Sequence, residues 1–209
     1  MMERPSCQIK LVDGETKSLV DAMLFEGLSE KNINDHSNTW IPKLKAANAA
    51  AKAKGEKIPI AEDAHWSWSK KIDVTSGQIA YRHYAIEYQD ETQGLMMIKL
   101  VGYQSRNEPP KDVLYIDFIS VAPDNREVIK KPPRLKAIGN VLFTYAVQVS
   151  LDEGMGGRVG LHSLPGAAKW YRDKLGLVSF GPDPFYSNLE YFELKAEDAM
   201  KMLQLTQQS

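Results

Sequence analysis

The sequence predicts a mixed α/β fold: a mostly antiparallel sheet of about seven strands with a parallel central pair and about four flanking helices. Three observations predict it. Strand-like stretches cluster as hairpins between residues 78 and 121. A strand–helix–strand unit then fills 113–162, and such a unit joins parallel neighbours through a crossover helix. Two more strands and a closing helix complete the chain. Hairpins plus a single crossover make a mixed sheet.

The 209 residues, 43% hydrophobic and 25% charged, match one globular domain over 1–209 with a real core. A formal net charge of −1 gives no global field to gather nucleic acid, which argues against that partner. No apolar run is long enough to cross a bilayer, and the first residues hold no apolar signal core. The single cysteine, Cys7, excludes an internal disulfide and fits a reducing cytoplasm. One cysteine and four scattered histidines offer no structural zinc site.

In order along the chain, residues 6–13 alternate and predict a strand that includes Cys7. Residues 17–30 place Leu19, Val20, Met23, Leu24 and Leu28 at helical spacing, which predicts an amphipathic helix. Asp35-His36-Ser37 has the letters of a hydrolase triad, but adjacent side chains cannot take that geometry, so it reads as a turn and cap. Residues 39–54 predict a second helix, alanine- and lysine-rich and solvated, with a nucleic-acid-facing role for its lysines as the sharper alternative. His65, Trp66 and Trp68 read as core packing, with an aromatic substrate wall as the alternative. Residues 78–89 and 94–104 form a hairpin across the polar link Gln89–Gly94.

The central unit follows. Residues 113–121 are a near-continuous apolar run, as in a strand buried on both faces. A helix predicted to end near Glu153 carries Ile138, Val141, Leu142, Tyr145, Ala146 and Val149 on one stripe. Residues 158–162 form the next strand and 166–175 a short helix capped by Gly176. Strands at 178–180 and 189–194 and a helix at 196–205 close the chain. A glycine at the start of the 137–153 helix leaves backbone N–H groups where an anion can sit. That glycine fits a phosphate site or a packing position equally.

Three segments carry a family resemblance: Val121-Ala122-Pro123-Asp124-Asn125-Arg126, Arg134-Leu135-Lys136-Ala137-Ile138-Gly139, and Ala167-Ala168-Lys169-Trp170-Tyr171-Arg172-Asp173-Lys174-Leu175-Gly176. In this order and spacing they resemble the GCN5-related N-acetyltransferase (GNAT) superfamily, best over 113–181. Two departures stand out: Ala137 replaces the first glycine of the pyrophosphate loop, and the Asp124–Pro133 loop is longer. An alanine there is a mild change if the backbone is helical.

The resemblance implies a splayed parallel pair, a core for acetyl-coenzyme A over about 113–181, and acceptor-side helices within about 17–57. It implies acetyl-CoA as co-substrate and an amine acceptor, either a small molecule or a polypeptide. Cofactor contacts would come from Ile119, Ser120 and Val121, and from the turn Arg134, Leu135, Lys136, Ala137, Ile138, Gly139 and Asn140. Tyr171 matches the general acid for the thiolate. Asp117, the only acid of the 113–121 strand, is the candidate base, and strand parity puts it on one face with Tyr115. His162, at the end of the second central strand, would orient substrate or relay a proton. Homodimer formation through the late strands is a further expectation. Two alternatives accompany this reading: an acyl-CoA sensor without turnover, and a toxin that acetylates aminoacyl-tRNA.

Overall fold

The computed structural model describes residues 4–57 and 59–207, with side chains to residue 204. Among these residues the elements are β1 (Ser6–Asp13), β2 (Leu19–Glu26), α1 (Glu30–Asp35), α2 (Ile41–Ala53), α3 (Trp68–Thr75), β3 (Tyr81–Tyr88), β4 (Glu91–Lys99), β5 (Leu114–Val121), β6 (Leu135–Lys136), α4 (Ile138–Asp152), β7 (Val159–Ser163), α5 (Pro165–Asp173), β8 (Val178–Asp183), β9 (Leu189–Leu194) and α6 (Ala196–Gln207). They fall into two compact units. One holds the chain up to Met96 with Ile119–Leu142, and the other holds Met97–Phe118 with the chain from Phe143 on. No helix among the described residues is long and apolar enough to cross a membrane.

In the first unit the strands lie in the order β6-β1-β2-β3-β4. The helix expected over 17–30 is instead β2, paired antiparallel to β1 from Ser6↔Phe25 to Val12↔Leu19, and to β3. Residues 19, 20, 23 and 24 satisfy a helical stripe, yet burial runs with period two: Ala22 and Leu24 are buried, Leu19 and Asp21 exposed. The deciding signal is the turn before it. Asp13 Oδ1 accepts from the N–H groups of Glu15 (2.9 Å) and Thr16 (2.8 Å), and Lys17 takes φ +64°. That turn fixes a hairpin, and partners on both sides then override local helix preference.

Ser29 caps α1 through a capping box with Asn32. A π-helical turn at His36–Trp40 joins α1 to α2, with the Ile41 N–H bonded to the His36 carbonyl. Pro42, just inside α2, has no N–H for a regular bond, which accounts for the wide turn. Asp35-His36-Ser37 is therefore helical, not a turn, and His36 is buried at 1% exposure. The β3–β4 hairpin turns on Gln89 and Asp90 alone, both with positive φ, so the predicted six-residue link is two residues long and Gly94 lies inside β4. A Cβ at Gly94 would come within 2.6 Å of the Ile138 side chain, so its absence lets α4 approach the strand.

In the second unit the order is β5-β7-β9-β8, with β5 and β7 parallel and the other pairings antiparallel. Phe143, Val147, Leu161, Tyr171 and Phe192 are among its buried core residues. The fully buried Glu193 carboxylate accepts from the Ser105 hydroxyl and the Arg106 N–H (2.8 Å), which fixes the 103–108 loop. Among the described residues there are nine strands and six α-helices, against the expected about seven and about four. The added strands are β2 and β6, and α1 and α3 are additional helices.

Candidate active site

In the second unit, β5 and β7 pair in register from Leu114↔Val159 to Ile116↔Leu161. Both strands run on past that point, to Val121 and Ser163. Tyr171 comes from α5, which Pro165 at its first turn starts and Gly176 (φ +69°) follows. Its ring packs on Phe143 (6.4 Å between centroids) and Phe192 (5.9 Å). Among the described residues its hydroxyl has no hydrogen-bond partner. Burial pushes the Tyr171 phenol well above its ordinary range. The group is thus suited to donating a hydrogen bond rather than to giving up a free proton.

His162 sits among aromatic rings on the other face of β9, 4.9 Å from the Tyr191 ring, whereas Tyr171 meets Phe192. Its Nδ1 lies 2.7 Å from the Tyr115 hydroxyl, and its Nε2 lies 3.2 Å from Asp183 Oδ2. A carboxylate only accepts, so Nε2 carries the proton and Nδ1 accepts from Tyr115. Arg106 donates to the same Asp183 oxygen at 2.5 Å, and that bond, the largest cause, holds the Asp183 carboxyl down at about 2. Desolvation lowers the His162 pKa against the opposing Asp183 charge, so the ring is neutral at pH 7.

Tyr103 stacks on Tyr115 at 4.0 Å and Tyr186 stacks on His162 at 3.9 Å. The hydroxyls of Tyr103 and Tyr186 meet at 3.0 Å. Gly160 leaves room for this cluster, since a Cβ there would lie 2.4 Å from the Tyr191 hydroxyl. Both His162 nitrogens are occupied by protein groups, so a substrate cannot bond either one directly in this arrangement. Asp117 is partly exposed, and its charge helps to raise the Tyr115 pKa, after burial as the main cause. Sequence reasoning missed Asp183, although its place between Pro182 and Pro184 marks a built turn, and it caps the Phe185 N–H at 3.0 Å.

The cofactor candidates belong to the first unit. Ser120 donates to Asp63 Oδ2 (2.8 Å), and Arg126 grips Asp63 with two bonds of 2.7 and 2.6 Å. Arg126 Nε also donates to the Val121 carbonyl at 2.8 Å. Burial pushes the Asp63 carboxyl up, but the Arg126 bonds and charge with the Ser120 bond hold it below its ordinary value overall. Ile119 is partly exposed. His36 lies beside this network, its ring edge-on to Trp40 (5.6 Å) and Trp68 (6.4 Å), and desolvation brings its pKa down to about 4. Trp68 is core, as expected, but among the described residues neither its N–H nor His36 Nε2 has a partner.

The turn expected to hold phosphates is only partly open. Arg134 donates to Glu91 and to Gln89 (3.0 Å), so its charge is already paired. The Leu135 N–H donates to Asn125 Oδ1 at 2.9 Å, and Leu135 and Lys136 form β6 against β1. Lys136 lies 3.6 Å from Glu127. The open part is the start of α4. The Val141 N–H is bonded back to Ala137, so the amides of Ile138, Gly139 and Asn140 precede the first intrahelical bonds. These three amides suit a pyrophosphate. A cavity of about 150 Å³ beside the Ala122–Asp124 turn is lined by Trp40, Lys43, Gln93 and Arg134 among others.

The lengthened loop is anchored rather than loose. Ile129 packs on the cluster of Leu44, Ala61 and Ala64, and Asp124 pairs with Lys43 at 2.6 Å. Ala137 is not helical: it takes φ +70° in the left-handed region and is exposed. The methyl group is strained there, which corrects the expectation of a mild change. Ala137→Gly is expected to stabilise the fold by about 1 kcal/mol through relief of that strain. Chemical denaturation should show a higher midpoint with an unchanged slope.

The fold is that of the GNAT acetyltransferases. The GNAT domain of S. lividans PAT aligns with a TM-score of 0.54 at 12% identity, covering 92% of this chain and 99% of that one. The PaiA N-acetyltransferase of Thermoplasma acidophilum, solved in complex with coenzyme A, aligns at 0.51 and 12% identity, over 82% and 98%. A bacterial toxin aligns at 0.50 and 13% identity, over 97% of both chains. No protein-family model and no curated protein matches the chain.

Proposed function

We propose that this chain is an acetyl-CoA-dependent N-acetyltransferase, with residues 1–209 as one such domain and the cytoplasm as its compartment. The observation that carries the reading is the parallel pair β5 and β7, connected through α4 and followed by α5 with Tyr171. The fold and the coenzyme A held by the T. acidophilum protein support it. Ile119–Val121 would hold the pantetheine arm, and the amides of Ile138, Gly139 and Asn140 the pyrophosphate. Arg134 and Leu135 contribute less than the sequence suggests, because both are already bonded.

An amine attacks the thioester carbonyl as the free base, and a protein group must take its proton. Asp117 is the base in this reading. Tyr171 donates a hydrogen bond to the departing thiolate and its proton follows late. The acceptor is a small amine or a polypeptide amine, and the active form is a homodimer through β8 and β9, which light scattering would check.

Gly139→Trp tests the site. Calorimetry with acetyl-CoA should give micromolar binding to the wild type and none to the variant. No binding to the wild type at reachable concentrations would sink the reading, and binding without transfer to any amine would favour the sensor alternative.

Acetylation of aminoacyl-tRNA is the second reading. In its favour, Lys45, Lys52, Lys54, Lys130 and Lys131 are exposed and outside every ion pair among the described residues, and the toxin aligns over 97% of both chains. Binding to tRNA that weakens steeply with salt is its test.

A further inference from the structure

A second cavity, of about 400 Å³, lies wholly within the first unit, between α3 and the start of β3. It contains neither Tyr171 nor any of the cofactor candidates. Its His83 sits near the start of β3, whereas Gln89, which contacts Arg134, follows the other end of that strand. The chain builds the cavity in a short span. α3 ends at Thr75, Gly77 turns the backbone with φ +74°, and β3 begins at Tyr81. The Gln78 N–H donates to the Thr75 carbonyl at 3.1 Å, and the Tyr81 N–H to the Gln78 carbonyl at 3.1 Å. The Gln78 side-chain amide donates to the Val74 carbonyl at 2.7 Å. The turn that walls the cavity is thus held in shape before anything binds, which lowers the ordering cost of binding.

Leu28, Ile72, Ile79 and Tyr81 give the cavity an apolar lining, and Ile79 is left 96% exposed. Among the described residues no lysine, arginine, aspartate or glutamate lines it. A carboxylate, phosphate or ammonium entering it would lose water and meet no opposite charge. One polar atom is left for a ligand. The Thr75 hydroxyl lies 2.9 Å from His83 Nε2 and holds the ring, while Nδ1 has no hydrogen-bond partner among the described residues. Desolvation lowers the His83 pKa, so the ring is neutral at pH 7. A neutral Nδ1 accepts or donates one hydrogen bond according to the tautomer, and a hydroxyl group can answer either.

We propose that this cavity is a second ligand site, for an uncharged molecule with an apolar body and a hydroxyl group, an alcohol or a phenol, whose hydroxyl bonds to His83 Nδ1. The volume lies in the range of small-molecule sites. Leu28, Ile72, Ile79 and Tyr81 cover the apolar body, and binding removes the Ile79 side chain from water. The site needs neither acetyl-CoA nor Tyr171, so it stands or falls independently of acetyl transfer.

The test titrates phenol and cyclohexanol into the full chain at neutral pH, followed by NMR of labelled isoleucine methyl groups and histidine rings. Both probes should shift Ile72, Ile79 and His83 together and saturate with a Kd of about 1 mM, as ligands of this size do. Toluene, which lacks the hydroxyl, should bind about tenfold more weakly, and benzoate and benzylammonium should not bind. His83→Phe keeps the bulk of the ring, so phenol should fall to the affinity of toluene while toluene stays unchanged. Ser76, exposed on extended backbone (φ −57°, ψ 131°), accepts a larger side chain, and Ser76→Trp should fill the cavity and abolish binding. Ile79→Asp, at a side chain that supports no packing, sets a charge against the apolar body and should also weaken phenol about tenfold.

No saturable shift with phenol or cyclohexanol up to their solubility would overturn the proposal. Equal affinities of phenol and toluene for the wild type would overturn the role given to the hydroxyl and His83. Phenol binding unchanged in both Ser76→Trp and Ile79→Asp would place the probe elsewhere on the protein and overturn the site.

Discussion

Tyr171→Phe is expected to reduce acetyl transfer by two to three orders of magnitude, about the contribution of a positioned acid. Acetyl-CoA binding should be unchanged. The reason lies in where the ring sits. Phe143 and Phe192 hold it at centroid distances of 6.4 and 5.9 Å, and Trp170 packs edge-on at 4.8 Å. Phenylalanine keeps all of those contacts, so thermal stability should barely move. Only the hydroxyl is lost, and it has no partner among the described residues. A drop in kcat with matched binding and matched melting temperature would therefore be a loss of chemistry. Equal rates for variant and wild type would remove Tyr171 from the mechanism. Because burial raises its pKa, its loss should not shift the pH profile between pH 5 and 9.

The second large effect is on stability. Asp63→Ala should destabilise the fold by about 3–5 kcal/mol, the usual cost of stranding one partner of a buried ion pair. Asp63 is 5% exposed and accepts three bonds, two from Arg126 and one from Ser120, and Arg126 in turn holds the Val121 carbonyl. Losing it leaves the Arg126 charge and the Ser120 hydroxyl without their carboxylate. The double variant Asp63→Leu with Arg126→Met should recover most of the loss, since it removes both charges. Urea denaturation of the three proteins checks this, and a single variant within 1 kcal/mol of wild type would refute it.

The pH dependence has a fixed sign. The folded-state pKa of Asp63 lies below its unfolded value. Its contribution is therefore complete above about pH 4, the ordinary carboxylate value, and fades as pH falls through the lower folded value. Asp63→Asn should flatten that part of the acid unfolding curve.

Much of the scaffold was legible in the sequence. The run 113–121, the 138–152 helix and the tyrosine helix 165–173 carry periodic apolar residues strong enough to be decided locally. So do both late strands, and the order of these elements already implies one parallel crossover. Residues 19–26 were not legible in that way, because their apolar pattern fits a helix stripe and a strand face alike. Pairing to β1 and β3 settled the matter, set by the turn at 13–18.

The site divides along the same line. Tyr171 and the start of α4 are candidates through the family resemblance of the motifs around them, not through spacing. What each polar group bonds to could not be named from the sequence. Arg134 reads as a phosphate ligand in sequence, yet it is paired with Glu91 from a hairpin some forty residues earlier. His162 reads as a free strand-end histidine, yet Tyr115 and Asp183 take both its nitrogens. Ala137 reads as harmless, yet the close of β6 turns its φ positive. Sequence alone determined most of the elements from 81 on and their order, because periodicity and turn residues act over a few positions. Hydrogen bonds between residues dozens of positions apart decided which candidates are free to react, and only the tertiary structure brings those partners together.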